Sequence, residues 1–181
     1  MIPSTIDIPE RLNYGRTREP IVFEQLNELF DTPICKSLHD CSFFDFYNPS
    51  SYYLIELKSL RYSFDKYPTC IMNLTKTVNS RMLFVWEYLE DNGTRDLYYH
   101  FFDPTHKYIS RDINQYNNLD VRDVIDVDKC DIEKFDFNTT YTIDDDSTEN
   151  EKMEFYRLLK IDFYIHLKMK NIRIYTNVRY S

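Results

Sequence analysis

The stretch Tyr52-Tyr53-Leu54-Ile55-Glu56-Leu57-Lys58-Ser59-Leu60 is strongly apolar. Its length and its aromatic and branched residues predict a strand, and its apolar density predicts a central one. Asn48-Pro49-Ser50-Ser51 reads as a turn. Residues 42–47 before it read as a short aromatic strand, so the two form a hairpin. Upstream, Ile21, Val22, Leu26 and Leu29 recur at helical spacing. They predict a first helix over 18–30, with Pro20 in its first turn and Asp31-Thr32-Pro33 as its stop.

Downstream, Asp65-Lys66-Tyr67-Pro68 is a break, and residues 69–78 are expected to be a helix. Residues 82–89 read as a strand. Asp91-Asn92-Gly93 is the strongest hairpin signal in the chain, returning the backbone through residues 97–102. Residues 103–134 are polar and fit no single period. Residues 135–143 alternate as a strand would, and Asp144-Asp145-Asp146 ends it. Thr148 and Glu151 form a capping-box pattern for a long helix reaching about residue 170. A last strand is expected over 171–180. The chain is therefore one α/β domain over 1–181: a core at about 18–102, an acidic segment at about 120–151, and a C-terminal helix and strand at about 148–180.

Composition narrows the function. The chain has 181 residues, and 43% are hydrophobic, enough for one core. With 16 Tyr and 13 Phe, much of that core is built from rings. Only two glycines, Gly15 and Gly93, are present, which excludes Gly-rich phosphate loops and with them kinase, P-loop and dinucleotide-fold readings. Cys35, Cys41, Cys70 and Cys130 form no CxxC pair and read as reduced thiols. The first residues show no basic-then-apolar leader, and no apolar run spans a bilayer. An intracellular protein, cytoplasmic or nuclear, is expected. Usage rich in Tyr, Asn, Ile and Lys suits an AT-rich genome such as that of a large DNA virus.

The net charge of −8 runs against binding to phosphates, but it is unevenly spread. Residues 120–151 hold twelve acids and three bases, whereas residues 152–181 hold seven bases and two acids. Lys160, Lys168, Lys170, Arg173 and Arg179 could reach phosphates or form a solvated basic face. The acidic block reads as a surface loop or as the occupant of a basic groove.

Chemistry is concentrated on the central strand. Alternate residues share a face, so Glu56 and Lys58 project together. Two charges on so apolar a strand require a reason. Asp45 lies one hairpin away and can come beside Glu56. Two carboxylates held together attract a cation, and Mg²⁺ prefers such hard oxygen ligands. The bland alternative is a cross-strand ladder of exposed ion pairs.

Asp45, ten intervening residues, then Glu56-Leu57-Lys58 resembles the pattern of the PD-(D/E)XK nuclease superfamily. The resemblance covers roughly residues 18–100. Phe44 stands where the family name has proline. The resemblance implies a restriction-endonuclease-like fold, a central mixed sheet flanked by helices. It implies a Mg²⁺- or Mn²⁺-dependent deoxyribonuclease, with Asp45 and Glu56 as metal ligands and Lys58 assisting the attacking water. Glu24 would be a supporting carboxylate from the first helix. Lys76, on the helix after the motif strand, and Arg61 would contact nucleic acid. The partner would be DNA, or RNA, and a homodimer through the C-terminal helix would follow by analogy. The rival is a non-catalytic interaction or virion-associated protein on the same fold.

Two further clusters have bland readings. His100, Asp103 and His106 could bind a transition metal, but Pro104 favours a solvated turn. Cys35, His39 and Cys41 lack a fourth ligand.

Overall fold

The computed structural model describes residues 7–38, 42–77, 79–115 and 120–178. Helix α1 (Asp7–Leu29) leads to the short strands β1 (Cys35–Lys36) and β2 (Phe46–Asn48) and the long strand β3 (Tyr53–Leu60). Next come β4 (Thr69–Asn73), β5 (Met82–Leu89), β6 (Arg95–Phe101), β7 (Ile109–Gln115), β8 (Asp120–Asp128) and β9 (Glu133–Lys134). Helix α2 (Glu149–Val178) is the last described element. The architecture is α/β. A central six-stranded sheet runs β1-β2-β3-β5-β6-β9, and a second sheet runs β4-β8-β7. The central sheet is mixed: β3 and β5 are parallel, while its other described pairs are antiparallel.

Strand β5 shows why the core lies where it does. Every residue from Met82 to Tyr88 is buried, as expected for a strand covered on both faces. Met82, Phe84, Trp86 and Tyr88 join Leu54, Cys70, Met72, Ile125, Phe155 and Leu158 on one face. The second sheet and α2 supply the cover there. Leu83 and Val85 join Val22, Leu26, Leu29, Ile55 and Leu97 on the other, under α1. That second face also holds a buried ion pair. Arg18 of α1 grips both carboxylate oxygens of Glu87, which is 1% exposed, with Nε at 3.1 and 3.0 Å.

Several expectations stand. β5 has the expected bounds. The hairpin after it turns on Gly93, whose φ of 84° is readily adopted by glycine. Thr148 and Glu151 form the expected reciprocal cap, with Thr148 N–H to Glu151 Oε2 at 2.7 Å and Glu151 N–H to Thr148 Oγ1 at 3.2 Å.

Other expectations are corrected. Helix α1 begins at Asp7, so Pro20 lies inside it and forfeits one i→i−4 bond. Residues 69–78 are no helix. Residues 69–73 form β4, whose Cys70 and Met72 alternate into the core, and a single 3-10 turn (Leu74–Lys76) follows. The partner that makes β4 a strand is β8, more than forty residues downstream. Residues 135–143 are no strand: Asp136 accepts the amide of Asn138 at 2.9 Å, which turns the chain, and only Tyr141 bridges back, to Phe30. The strand expected over 171–180 is absent as far as residue 178, because α2 continues to Val178.

Candidate active site

The hairpin of β2 and β3 builds the site. Phe46 pairs with Ile55 in the antiparallel register, so Asp45, one step earlier, stands opposite Glu56. Backbone bonds hold this step. The Asp45 amide donates to Ile55 O at 2.9 Å, and the Asp45 carbonyl accepts the Ser37 amide at 2.8 Å. The Asp45 carboxylate is fixed as well: Oδ2 accepts the Leu57 amide at 2.7 Å. Residues directly opposite on adjacent strands project to the same face. Asp45, Glu56 and Lys58 therefore share the face of Leu54 and Leu60.

That face is apolar around them. Glu56 pairs with Phe84 and Lys58 with Trp86 in the parallel register to β5. Glu56 is only 8% exposed. Its partner is Lys76, whose Nζ lies 3.0 Å from Glu56 Oε2 and donates to Ser42 O at 3.2 Å. The enclosed Oε2 has this ammonium as its close polar partner, through both charge and hydrogen bonding. Lys58 is half-buried, and its charge acts on both Glu56 and Cys70.

Burial raises the proton affinity of both carboxyls. For Asp45 the upward push of burial is opposed by the Leu57 amide, Lys76 and Glu56. Glu56 is pushed well above the usual carboxylate range, first by burial and then by the Asp45 charge, with Lys76 and Lys58 pulling the other way. The cluster thus favours taking up a positive charge, as a proton or as a cation. Two hard carboxylate oxygen donors, one of them enclosed, suit Mg²⁺ or Mn²⁺.

The other candidate residues divide clearly. Glu24 is exposed on α1, and α1 covers the Ile55 face, so the fold does not bring Glu24 to the pair. Lys76 does reach the site, but from the 3-10 turn after β4, and it is directed at Glu56. Arg61 lies on the surface, paired with Glu10 at 2.9 Å and stacked 4.4 Å over the Tyr14 ring. Lys160, Lys168 and Lys170 are exposed on α2, Arg173 lies in the same helix, and Arg179 falls outside the described residues. The acidic run is tied down: Asp146 pairs with buried Arg81 at 2.7 Å and Asp145 with Lys152 at 3.6 Å. Arg81 carried no functional signal in the sequence, because its role depends on the 144–146 segment folding back.

The His100, Asp103 and His106 cluster lines a cavity of about 370 Å³ with Tyr108, Cys130, Asp131 and Glu133. Both His100 nitrogens are engaged, with Asp131 O and Tyr108 OH, each at 2.8 Å. Asp103 Oδ1 accepts the Thr105 amide and hydroxyl at 2.8 and 2.7 Å, which is turn chemistry. Beside this cavity, donor atoms of exposed Asp128, Cys130 and Asp131 lie within 4.8 Å of one another and could hold a metal ion. The sequence reading missed this group, since Cys130 has no patterned partner. Cys35 is half-buried beside Tyr47, while His39 and Cys41 fall outside the described residues. Among the described residues no helix is long and apolar enough to cross a membrane.

No family model matches the chain, and no curated protein or solved structure matches it.

Proposed function

We propose that the protein is a metal-dependent nuclease hydrolysing phosphodiester bonds in DNA, built on a restriction-endonuclease-like core of the PD-(D/E)XK type. The observation that carries this reading is the Asp45–Glu56 pair, Glu56 buried and Asp45 half-buried, with Lys58 on the same strand face. Asp45 and Glu56 are the residues that would hold Mg²⁺ or Mn²⁺. The bound ion would supply activation of water and neutralisation of phosphate charge. Lys58, one pleat from Glu56, orients the attacking water or takes its proton, and its charge offsets that developing on the phosphate. The apolar residues flanking the pair, Phe84 and Trp86, keep the local dielectric low, which strengthens each of these interactions. Arg61 and the basic face of α2 are the candidate contacts to the nucleic-acid backbone.

The test is a plasmid and single-strand cleavage assay with Mg²⁺ and Mn²⁺, beside melting curves with and without each ion. Cleavage should need the ion and stop with chelator. Glu56→Ala should abolish it. Lys58→Ala should keep metal-dependent stabilisation while turnover falls by about a hundredfold. Wild-type protein showing neither cleavage nor stabilisation overturns the reading.

One observation favours the rival reading of an interaction protein. Helix α2 leaves Met153, Tyr156, Phe163, Tyr164, Leu167 and Met169 exposed. Apolar surface of this kind marks a contact site, for a second copy of the chain or another protein. That reading predicts association without any metal dependence.

A further inference from the structure

The nuclease reading leaves Lys76 with a place in the site but no settled task. Lys76 arrives from outside the hairpin, on the turn after β4. Its half-buried stem delivers Nζ to Glu56 Oε2 at 3.0 Å, and Ser42 O holds the same nitrogen at 3.2 Å. The ammonium therefore sits on the enclosed carboxylate oxygen that a metal ion would need. An ammonium and a divalent ion cannot both occupy that oxygen at contact distance, so the two cations compete for it. Charge arithmetic points the same way. Two carboxylates and two lysines balance when all are ionised, so an added divalent ion would meet two ammonium groups with no excess of negative charge to receive it.

We propose, resting on the metal-nuclease reading, that Lys76 is the site's built-in counter-ion: it neutralises the Asp45–Glu56 pair when no divalent ion is bound and is displaced by that ion. Lys76 thus competes with metal instead of helping to hold it. The Ser42 carbonyl keeps the displaced ammonium beside the site, where it can meet a substrate phosphate. Metal uptake and the release of a phosphate-binding lysine become one event. The protein alone holds metal weakly, and nucleic acid, by occupying the freed lysine, strengthens metal binding.

The experiment is a Mn²⁺ titration of the full chain, read as free Mn²⁺ by electron paramagnetic resonance. Lys76→Met keeps the aliphatic stem and removes the charge. It should bind Mn²⁺ about tenfold tighter or more, because a nearby like charge is gone. Lys76→Arg keeps the charge and should stay within about threefold of wild type on the same argument. Glu56→Gln should lose binding. If Lys76→Met fails to fold by circular dichroism, Lys76→Gln replaces it with the same expectation. Equal or weaker Mn²⁺ binding in the charge-removed variant overturns the exchange and leaves the nuclease reading standing. No Mn²⁺ uptake by either wild type or the variant overturns both.

Discussion

Asp45 accepts the amide of Leu57 across the hairpin at 2.7 Å, and this one bond fixes the carboxylate beside Glu56. The same side chain is therefore both a structural acceptor and half of the candidate site. The two roles separate by substitution. Asp45→Asn keeps an acceptor for the Leu57 amide and removes the charge. It should fold with little loss of stability, yet lose metal-dependent cleavage. Asp45→Ala strands the amide as well and should destabilise by about 1–3 kcal/mol. Urea denaturation of the two variants checks this. Equal losses would mean that the bond contributes nothing.

Glu56 gives a pH dependence of defined sign. Its folded-state proton affinity is raised, chiefly by burial, so the folded protein binds a proton that the unfolded chain releases earlier. The stability tied to that proton is present below the unfolded carboxylate value, about 4.3, and is lost as pH rises toward the folded value. Glu56→Gln lacks this titration. The melting temperature of the Gln variant, relative to wild type, should therefore climb as pH rises above about 4.3 toward the folded value. Mg²⁺ or Mn²⁺ should narrow the gap by stabilising only the wild type. A gap that stays constant or shrinks with pH, measured without metal, would show that Glu56 is not held in its raised state.

The opposite face of the sheet supplies a control for stability without chemistry. Arg18→Met leaves Glu87 enclosed, with Arg95 still 3.7 Å away. Breaking a buried pair in this way typically destabilises by about 3–5 kcal/mol, and Arg95 should hold this loss near the lower end. Denaturant titration measures it. Metal affinity at the folded protein should not change, because α1 covers the face away from Glu56.

Helix α2 should divide along its length. Phe155 is fully buried against the rings of Tyr47 and Tyr52, and Phe155→Ala should destabilise by about 3–5 kcal/mol. Phe163 is 52% exposed, and Phe163→Ala should shift monomer stability by less than about 0.5 kcal/mol. If α2 pairs with a second copy, Phe163→Glu should instead dissociate a dimer seen by sedimentation. A wild type that sediments as a monomer at every concentration excludes the homodimer and leaves the exposed rings to another partner.

The sequence by itself determined those parts of the molecule that local rules govern. A dense apolar run was enough for β5, such a run with strand alternation for β3, the Asp91-Asn92-Gly93 turn for the hairpin, and the Thr148–Glu151 capping-box pattern for the start of α2. The same alternation placed Glu56 and Lys58 on one face, and the turn at 48–51 brought Asp45 opposite them. What tertiary structure decided were the pairings across long stretches of chain. Residues 69–73 carry apolar side chains that suit a helix or a strand, and only the distant edge of β8 selects the strand. Lys76 looked like a residue on a helix reaching for phosphate. The turn that β4 imposes directs it into Glu56 instead. Glu24 followed the expected order of elements, but order does not say which face of a sheet a helix covers. Here the apolar stripe of Val22, Leu26 and Leu29 seats α1 on Ile55 and Val85, away from the carboxylates. Arg81 and Asp146 found each other only because the chain folds back after 141. Such contacts depend on closing loops of tens of residues, and no local pattern in the chain encodes them.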